Sequence, residues 1–465
     1  MTPKHLFVIV MDSFRLPGYW DPRVGSRFAP FLSSLLKTGA GSLPLVASSS
    51  WTLPSHLSLL GGSDPWNAWG EPIAPSRRTI SQGWRASGGT TKAWIANPML
   101  LSEKGLLSGF DQINQGMGTA LLRFASGILG LLDASMVPLE VPALADGQSA
   151  NENATPHRPR LMRTAYQALS YVQTGFRQMT DGRHLVASLR KSVRATRMNE
   201  PSLVFMNFME THEPYGDGWM DYRQIVERGF IPSSNYSYHS RIVSNYCSDT
   251  SHLHHAYTAA ITKVDGLIRE LFRVLERDGV LDDCAFVLLS DHGQCLGEHN
   301  FFGHARHLYD ELVYVPCVFW SKAFREHRGN ALPQGEFIDH RHVHRILSDF
   351  ANQPLNPESF DRQIEDSLLR IGPAASFYRG RPFQHNAILH RGPEYWLLRM
   401  ISREGSVRAD SWDTRPIGDD LSIAGHPGDS LLSWAEKTTA AILRSPSAVS
   451  IESSVSDRIY GWGYT

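Results

Sequence analysis

Cysteine is scarce in this chain, with four in 465 residues and none in a CxxC spacing. That removes a thiolate metal cluster or a disulfide framework from consideration. Cys284 and Cys317 lie in apolar runs and Cys247 and Cys295 in loop-like stretches, as expected of unpaired thiols in a reducing compartment. Long apolar runs are missing too, and none reaches the roughly eighteen residues of a membrane span. Met1 to His5 is too short for the charged and apolar regions of a leader peptide, so the sequence predicts a cytoplasmic location. Excess charge is absent: 45 Lys and Arg against 46 Asp and Glu leave a formal net charge of −1. No global field draws the chain to nucleic acid or to a membrane surface. Internal repeats and long low-complexity tracts are also lacking, which leaves a 42% hydrophobic chain able to bury a large core.

What is present is a set of short apolar runs that end in metal-ligand side chains. Leu6 to Met11 is followed by Asp12, and Cys284 to Leu289 is followed by Ser290-Asp291-His292-Gly293. A continuous apolar run opening into a polar loop reads as a central parallel strand, and open α/β sheets bind ligands at the ends of such strands. Two of them side by side would bring Asp12 and Asp291 to one edge. A hard carboxylate oxygen with an imidazole nitrogen suits zinc or manganese better than calcium. Taken singly, each segment is equally well an ordinary turn or a helix cap.

A third segment, Ser48-Ser49-Ser50-Trp51-Thr52-Leu53-Pro54-Ser55-His56, supplies a hydroxyl. Pro54 fixes a helical φ and needs no donor, so it marks the first turn of a helix and puts Thr52 at or beside the N-cap. Capping is the commoner use of threonine there. The helix end also carries about half a unit of positive charge, which favours an alkoxide and holds an anionic group. Asn97 follows the apolar run Ala93 to Ala96, where its amide would either donate to a substrate oxygen or form a turn before Pro98.

In order along the chain, these segments resemble the alkaline phosphatase superfamily and, within it, the sulfatase-like branch. The resemblance is carried by the strand ending in Asp12, by Thr52-Leu53-Pro54-Ser55-His56, and by Met209-Glu210-Thr211-His212-Glu213-Pro214-Tyr215. It continues from Ser290 through Gly297-Glu298-His299 to Gly303-His304, with Tyr309-Asp310-Glu311 and Val315-Pro316 beyond. It implies one divalent metal site formed by Asp12, Thr52, Asp291 and His292, with Thr52 as nucleophile. It further implies that His212 and His304 either bind a second metal or contact the transferred group and its leaving oxygen. Asn97 and His56 would contact substrate, and Glu298, His299, His307 and Asp310 would support the site. There are departures. His56 stands where sulfatases have arginine, Ser13 where the second aspartate of a pair is usual, and Thr52 where they carry the cysteine or serine that becomes formylglycine. Threonine cannot be so converted. A direct threonine nucleophile is similar to the nucleotide pyrophosphatase/phosphodiesterase and phosphoethanolamine transferase branches. The DxxxH spacing of the two-zinc phosphodiesterases is absent, which leaves Glu210 as a conceivable substitute ligand.

The sequence therefore predicts a metal-dependent hydrolase that cleaves phosphate ester, phosphodiester or phosphonate ester bonds through a covalent threonine intermediate. Phosphoryl transfer or mutation, sulfuric ester hydrolysis and a silent binding protein are the alternatives. The expected partner is a small anionic ester, and the sequence does not speak to oligomeric state. The predicted fold is α/β: a doubly wound, mostly parallel sheet with helices on both faces over residues 1–365, then a small C-terminal α+β subdomain at 366–465. A helical insertion at about 117–200 and a variable loop at about 216–253 interrupt the first part. Tyr257, Ile261, Val264, Leu267, Ile268, Leu271, Val274 and Leu275 keep a helical period, and His252, His254 and His255 are expected to lie in solvent ahead of that helix. Strands are expected at Ser376–Arg379, His385–Leu389, Tyr395–Met400 and Ser406–Ala409, with a helix near Leu431–Leu443.

Overall fold

The computed structural model describes most of residues 3–116, 182–215, 250–351 and 357–416. Several expectations lie outside the described residues: residues 117–181 of the insertion, most of the variable loop with Cys247, and the helix near Leu431–Leu443.

Seven strands form the central sheet in the order Ala40–Ser42, Cys317–Ser321, Cys284–Leu289, His5–Met11, Ser202–Phe208, Thr90–Ile95 and Gln112–Gln115. The five from Cys284–Leu289 to Gln112–Gln115 run parallel, and Cys317–Ser321 runs antiparallel to its neighbours. The fold class predicted from the sequence is the one observed. His5–Met11 is buried along its whole length, as a strand covered on both faces must be. Its side chains alternate between two cores. Leu6, Val8 and Val10 face Leu53, Leu57 and Leu60 of helix Thr52–Gly61 and Val343, Ile346 and Leu347 of helix His340–Phe350. Phe7, Ile9 and Met11 face Tyr257, Ile261, Val264, Ile268 and Leu271 of helix Ser251–Arg277. Burying each such side chain contributes about 1.5–3 kcal/mol, so the sheet is a rigid platform for its loops.

Register positions the site. Val10 pairs with Leu289 and Met11 with Phe208, so the next residues bring Asp12, Met209 and Asp291 to one edge. Ile95 pairs with Asn207, which carries Asn97 to the same edge.

Three expectations change. The basic stretch before Ser202 is not wholly an insertion, because residues 182–195 are helical and bury Leu185, Val186, Leu189 and Val193 in the core beneath the sheet. The helix itself was expected; what changes is that its apolar face belongs to the core. Helix Ser251–Arg277 begins a turn before its apolar stripe, so the histidines lie within its first turns. His254 is half-buried and bonded to the Tyr19 hydroxyl, while His255 is exposed. Cys295 belongs to a two-residue strand and is buried, and like Cys284 and Cys317 it is a free thiol whose pKa is pushed up by burial.

The C-terminal strands are longer than expected: Ala374–Arg379, Gln384–Arg391, Glu394–Arg403 and Ser406–Pro416 form an antiparallel meander in that order. The Ser376 hydroxyl donates to the Ala47 carbonyl, fastening the meander to the loop that precedes Thr52. Helix Pro357–Ile371 spans residue 365, and its Phe360 and Ile364 pack in the core of the main sheet.

Candidate active site

Thr52 is the first residue of helix Thr52–Gly61, with Trp51 at the cap and no side-chain capping bond. Its hydroxyl is therefore not spent on the helix end. Instead Thr52 Oγ1 lies 3.1 Å from His292 Nε2, in a pocket where Thr52 is 3% exposed.

His292 has its other nitrogen fixed: Nδ1 lies 2.9 Å from the Gly293 carbonyl, which can only accept. The proton therefore sits on Nδ1 and the Nε2 lone pair faces the site, the tautomer of a metal ligand. Around it, Asp12 Oδ1 is 3.8 Å and Asp291 Oδ2 3.6 Å from Nε2. Asp291 Oδ1 accepts from the Ser13 and His292 amides at 3.2 and 2.9 Å, whereas its buried Oδ2 has no hydrogen-bond partner. An orphaned carboxylate oxygen is costly to bury, and a cation is what the arrangement fits. One ligand atom each from Asp12, Asp291 and His292 lie within 4.8 Å of one another. Burial first, then the neighbouring Asp12, pushes Asp291 up to about 7 in the metal-free protein. Burial works against Asp12 as well, but His212, His292 and the Asn97 amide outweigh it and hold that carboxyl below the usual range.

Asn97 occupies the expected strand end with its amide already engaged: Nδ2 donates to Asp12 Oδ2 at 2.8 Å, and Oδ1 accepts from the Met99 amide. In this geometry it orients the Asp12 carboxylate. His56 lies one helical turn after Thr52, with Nδ1 2.9 Å from the Thr52 carbonyl and 3.5 Å from Asp291 Oδ2. Burial brings its pKa down to about 4. A neutral, buried ring thus stands one helical turn after Thr52. Ser13 sits at φ 63° and donates its hydroxyl to Asp12 Oδ1.

His304 stacks on His292, with centroids 4.5 Å apart, and His212 meets His304 edge to face at 5.0 Å. The structure thus brings Asp12, Thr52, His56, Asn97, His212, Asp291, His292 and His304 together. Glu210 is not in the metal-ligand group. Its carboxylate lies against Gly182, where a Cβ would come 2.1 Å from Oε1. Of the four supporting residues, Glu298 pairs with Arg15 at 2.6 Å. His299 bonds Glu311 and, like His307, stacks on Tyr309. Asp310 starts the short helix Asp310–Val313.

Three residues that matter here escaped sequence reasoning. His340 accepts from the Ser48 amide at Nδ1 (3.1 Å) and donates from Nε2 to the Ser290 carbonyl (2.9 Å). It joins the loop before Thr52 to the loop that carries Asp291 and His292, and burial keeps it neutral, near 4. Arg15, 2% exposed, donates to the Gln294 carbonyl at 2.8 Å, and the Gln294 side chain reaches His304. A lone arginine just after a buried strand, and a glutamine directly after Asp-His-Gly, were the available signals. Replacing His340 with leucine strands two buried backbone groups, so it should cost roughly 2–4 kcal/mol in urea denaturation. An unchanged midpoint and slope would dismiss the clamp.

A family model described as Sulfatase matches residues 143–348. The match includes His212, Asp291, His292 and His304 but neither Asp12 nor Thr52. No curated protein matches the sequence. Solved structures match over nearly the whole chain. The phosphonate monoester hydrolase of Agrobacterium radiobacter aligns with TM-score 0.56 at 14% identity, over 97% of this chain and 96% of that one. The phosphonate monoester hydrolase from Silicibacter pomeroyi aligns with TM-score 0.58 at 15% identity, over 96% of each chain. A putative sulfatase from Bacteroides thetaiotaomicron aligns with TM-score 0.58 at 11% identity, over 99% of this chain and 94% of that one. At these identities the likeness is one of fold. The family match covers less than half of the chain and the structural likeness nearly all of it; together they make the chain similar, in fold and in this segment, to the sulfatase-like branch of the alkaline phosphatase superfamily.

Proposed function

We propose that the protein is a metal-dependent hydrolase of phosphate ester, phosphodiester or phosphonate ester bonds, acting through a covalent phosphothreonine at Thr52. The observation that carries this reading is the uncapped Thr52 hydroxyl 3.1 Å from His292 Nε2, beside the orphaned oxygen of Asp291. Threonine cannot become formylglycine, which counts against sulfuric ester hydrolysis by the sulfatase route.

Asp12, Asp291 and His292, with the Thr52 hydroxyl, would hold a divalent ion, zinc or manganese before calcium because of the imidazole. When bound, such an ion lowers the hydroxyl pKa and neutralises charge on the transferred group. Thr52 Oγ1 then forms a bond to phosphorus while the bond to the ester oxygen breaks, and His304 or His212 gives that oxygen its proton. Water opens the phosphothreonine, releasing the phosphorylated product and regenerating Thr52. If another hydroxyl takes the place of water, the same residues perform transfer. A substrate screen of metal-reconstituted protein over phosphomonoesters, phosphodiesters, phosphonate esters and sulfate esters tests the reading. Turnover of sulfate esters alone would overturn it.

Among the described residues the one such group of possible metal ligands is Asp12, Asp291 and His292, which supports a proton-transfer role for His304. His304→Ala should then slow esters with poor leaving groups by roughly 10²-fold or more and nitrophenyl esters far less. Two metal equivalents in active enzyme, with equal losses for both ester types, would assign His304 to a second ion. No helix among the described residues is long and apolar enough to cross a membrane. The buried free thiols support placing the protein in a reducing compartment such as the cytoplasm.

A further inference from the structure

Gln294 is 1% exposed, two residues after the metal-ligand histidine. Its backbone is held without help from its side chain: the amide donates to the Glu311 carbonyl at 3.0 Å, and the carbonyl accepts from Arg15 Nη1 at 2.8 Å. Arg15 is itself fixed by Glu298 at 2.6 Å and lies over the Tyr19 ring, 4.8 Å from its centroid. From this anchored backbone the Gln294 side chain places Oε1 3.0 Å from His304 Nδ1. An amide oxygen has no proton to give, so the proton of that bond belongs to Nδ1.

We propose that Gln294 is a positioning residue that holds His304 in the Nδ1–H form and so makes Nε2 the nitrogen that meets the reacting ester. The proposal rests on the hydrolase reading above. The stack of His304 on His292 fixes the plane of the ring but not which way round it sits after a half-turn about Cβ–Cγ, and the directional bond to Gln294 Oε1 selects one of the two. The proton account then closes. His304 Nε2–H passes its proton to the leaving oxygen as the bond from that oxygen to phosphorus breaks. The neutral ring, still donating Nδ1–H to Gln294, next takes a proton at Nε2 from the water that attacks phosphorus and breaks the Thr52 Oγ1–phosphorus bond. The ring never has to turn over between the two steps. A hydrophobic side chain of the same length would keep the loop and lose this selection.

The test combines nitrogen-15 NMR of the His304 ring, assigned with His304→Ala, and steady-state kinetics on metal-loaded protein. Wild type should show a protonated, pyrrole-like Nδ1 and a pyridine-like Nε2 in the neutral ring. Gln294→Met should give a mixture of tautomers and lower kcat for poor leaving groups by about 10- to 100-fold, the usual cost of losing a partner of an active-site histidine. KM, metal content and nitrophenyl ester turnover should be nearly unchanged. Gln294→Glu, which keeps an acceptor at the same place, should restore the Nδ1–H form and most of the lost rate. A wild-type ring protonated at Nε2 would overturn the proposal, as would losses in Gln294→Met that fall equally on all leaving groups. If wild type turns over no ester at all, the hydrolase reading fails, while the NMR arm still decides which nitrogen Gln294 holds. If Gln294→Met does not fold, the wild-type and Gln294→Glu spectra decide the same point.

Discussion

Thr52→Ala should reduce ester turnover by roughly 10⁴- to 10⁶-fold, the scale of losing a catalytic nucleophile, while leaving the fold and metal content in place. The expectation follows from where Thr52 sits. It is the first helical residue rather than the cap, its side chain makes no capping bond, and alanine is a better helix former. The backbone carbonyl that accepts from His56 is retained. Stability should therefore change by less than about 1 kcal/mol, and the loss should lie in kcat. Mass spectrometry of quenched wild-type reactions should find a phosphoryl adduct on the peptide containing Thr52, absent in the variant. Undiminished hydrolysis by purified Thr52→Ala protein would end the threonine mechanism. Thr52→Ser should keep much of the activity, because the hydroxyl remains and only a methyl group is lost.

Asp291→Asn should have effects of opposite sign on activity and on metal-free stability. Asparagine keeps an oxygen to accept from the Ser13 and His292 amides but replaces the orphaned Oδ2 with a neutral nitrogen. Divalent metal should no longer bind stoichiometrically, and turnover should fall by roughly 10³-fold or more. The metal-free protein should nevertheless become more stable than wild type above neutral pH. In metal-free wild type the folded-state pKa of Asp291 is pushed up to about 7, against about 4 unfolded. A folded pKa above the unfolded one means that the group's contribution to stability is fully present below pH 4 and is lost as pH rises through about 7. Calorimetry of metal-free wild type and variant across this range should show their melting temperatures diverging as pH rises. Saturating metal should rescue wild type only, since it binds the charged form. Parallel curves for the two proteins would mean that burial and the neighbouring Asp12 do not raise Asp291 as the structure arranges them.

The sequence was most legible where chemistry and periodicity coincide. Apolar runs ending in Asp12 and in Asp291-His292 predict buried parallel strands with ligands at their ends, because a strand covered on both faces has nowhere to put a polar side chain except at its end. Helix Ser251–Arg277 was readable from its stripe for the same kind of reason. Residues 182–195 were legible as helix but not as part of the core, since surface arginines between Leu185 and Val193 mask a four-residue contact set that only the sheet face completes. His340 was invisible for a different reason. Its partners, Ser48 and Ser290, lie 292 and 50 residues away, and nothing local marks a histidine whose two nitrogens bond backbone groups of two distant loops. Asn97 was placed correctly at a strand end, but what it does depends on the Asp12 oxygen 2.8 Å from its amide.

By itself, then, the sequence determined the class of fold, the candidate nucleophile and the kinds of atom that would hold a cation. These depend on residue type and short-range spacing. Tertiary structure alone decided that Thr52 begins its helix uncapped and that His292 turns Nε2 toward it. It also decided that Asp291 is left with an orphaned oxygen and that Gln294, anchored through Arg15, reaches His304. Hydrogen-bond direction and tautomer are set by partners far apart in the chain, which parallel strand register brings to one edge of the sheet.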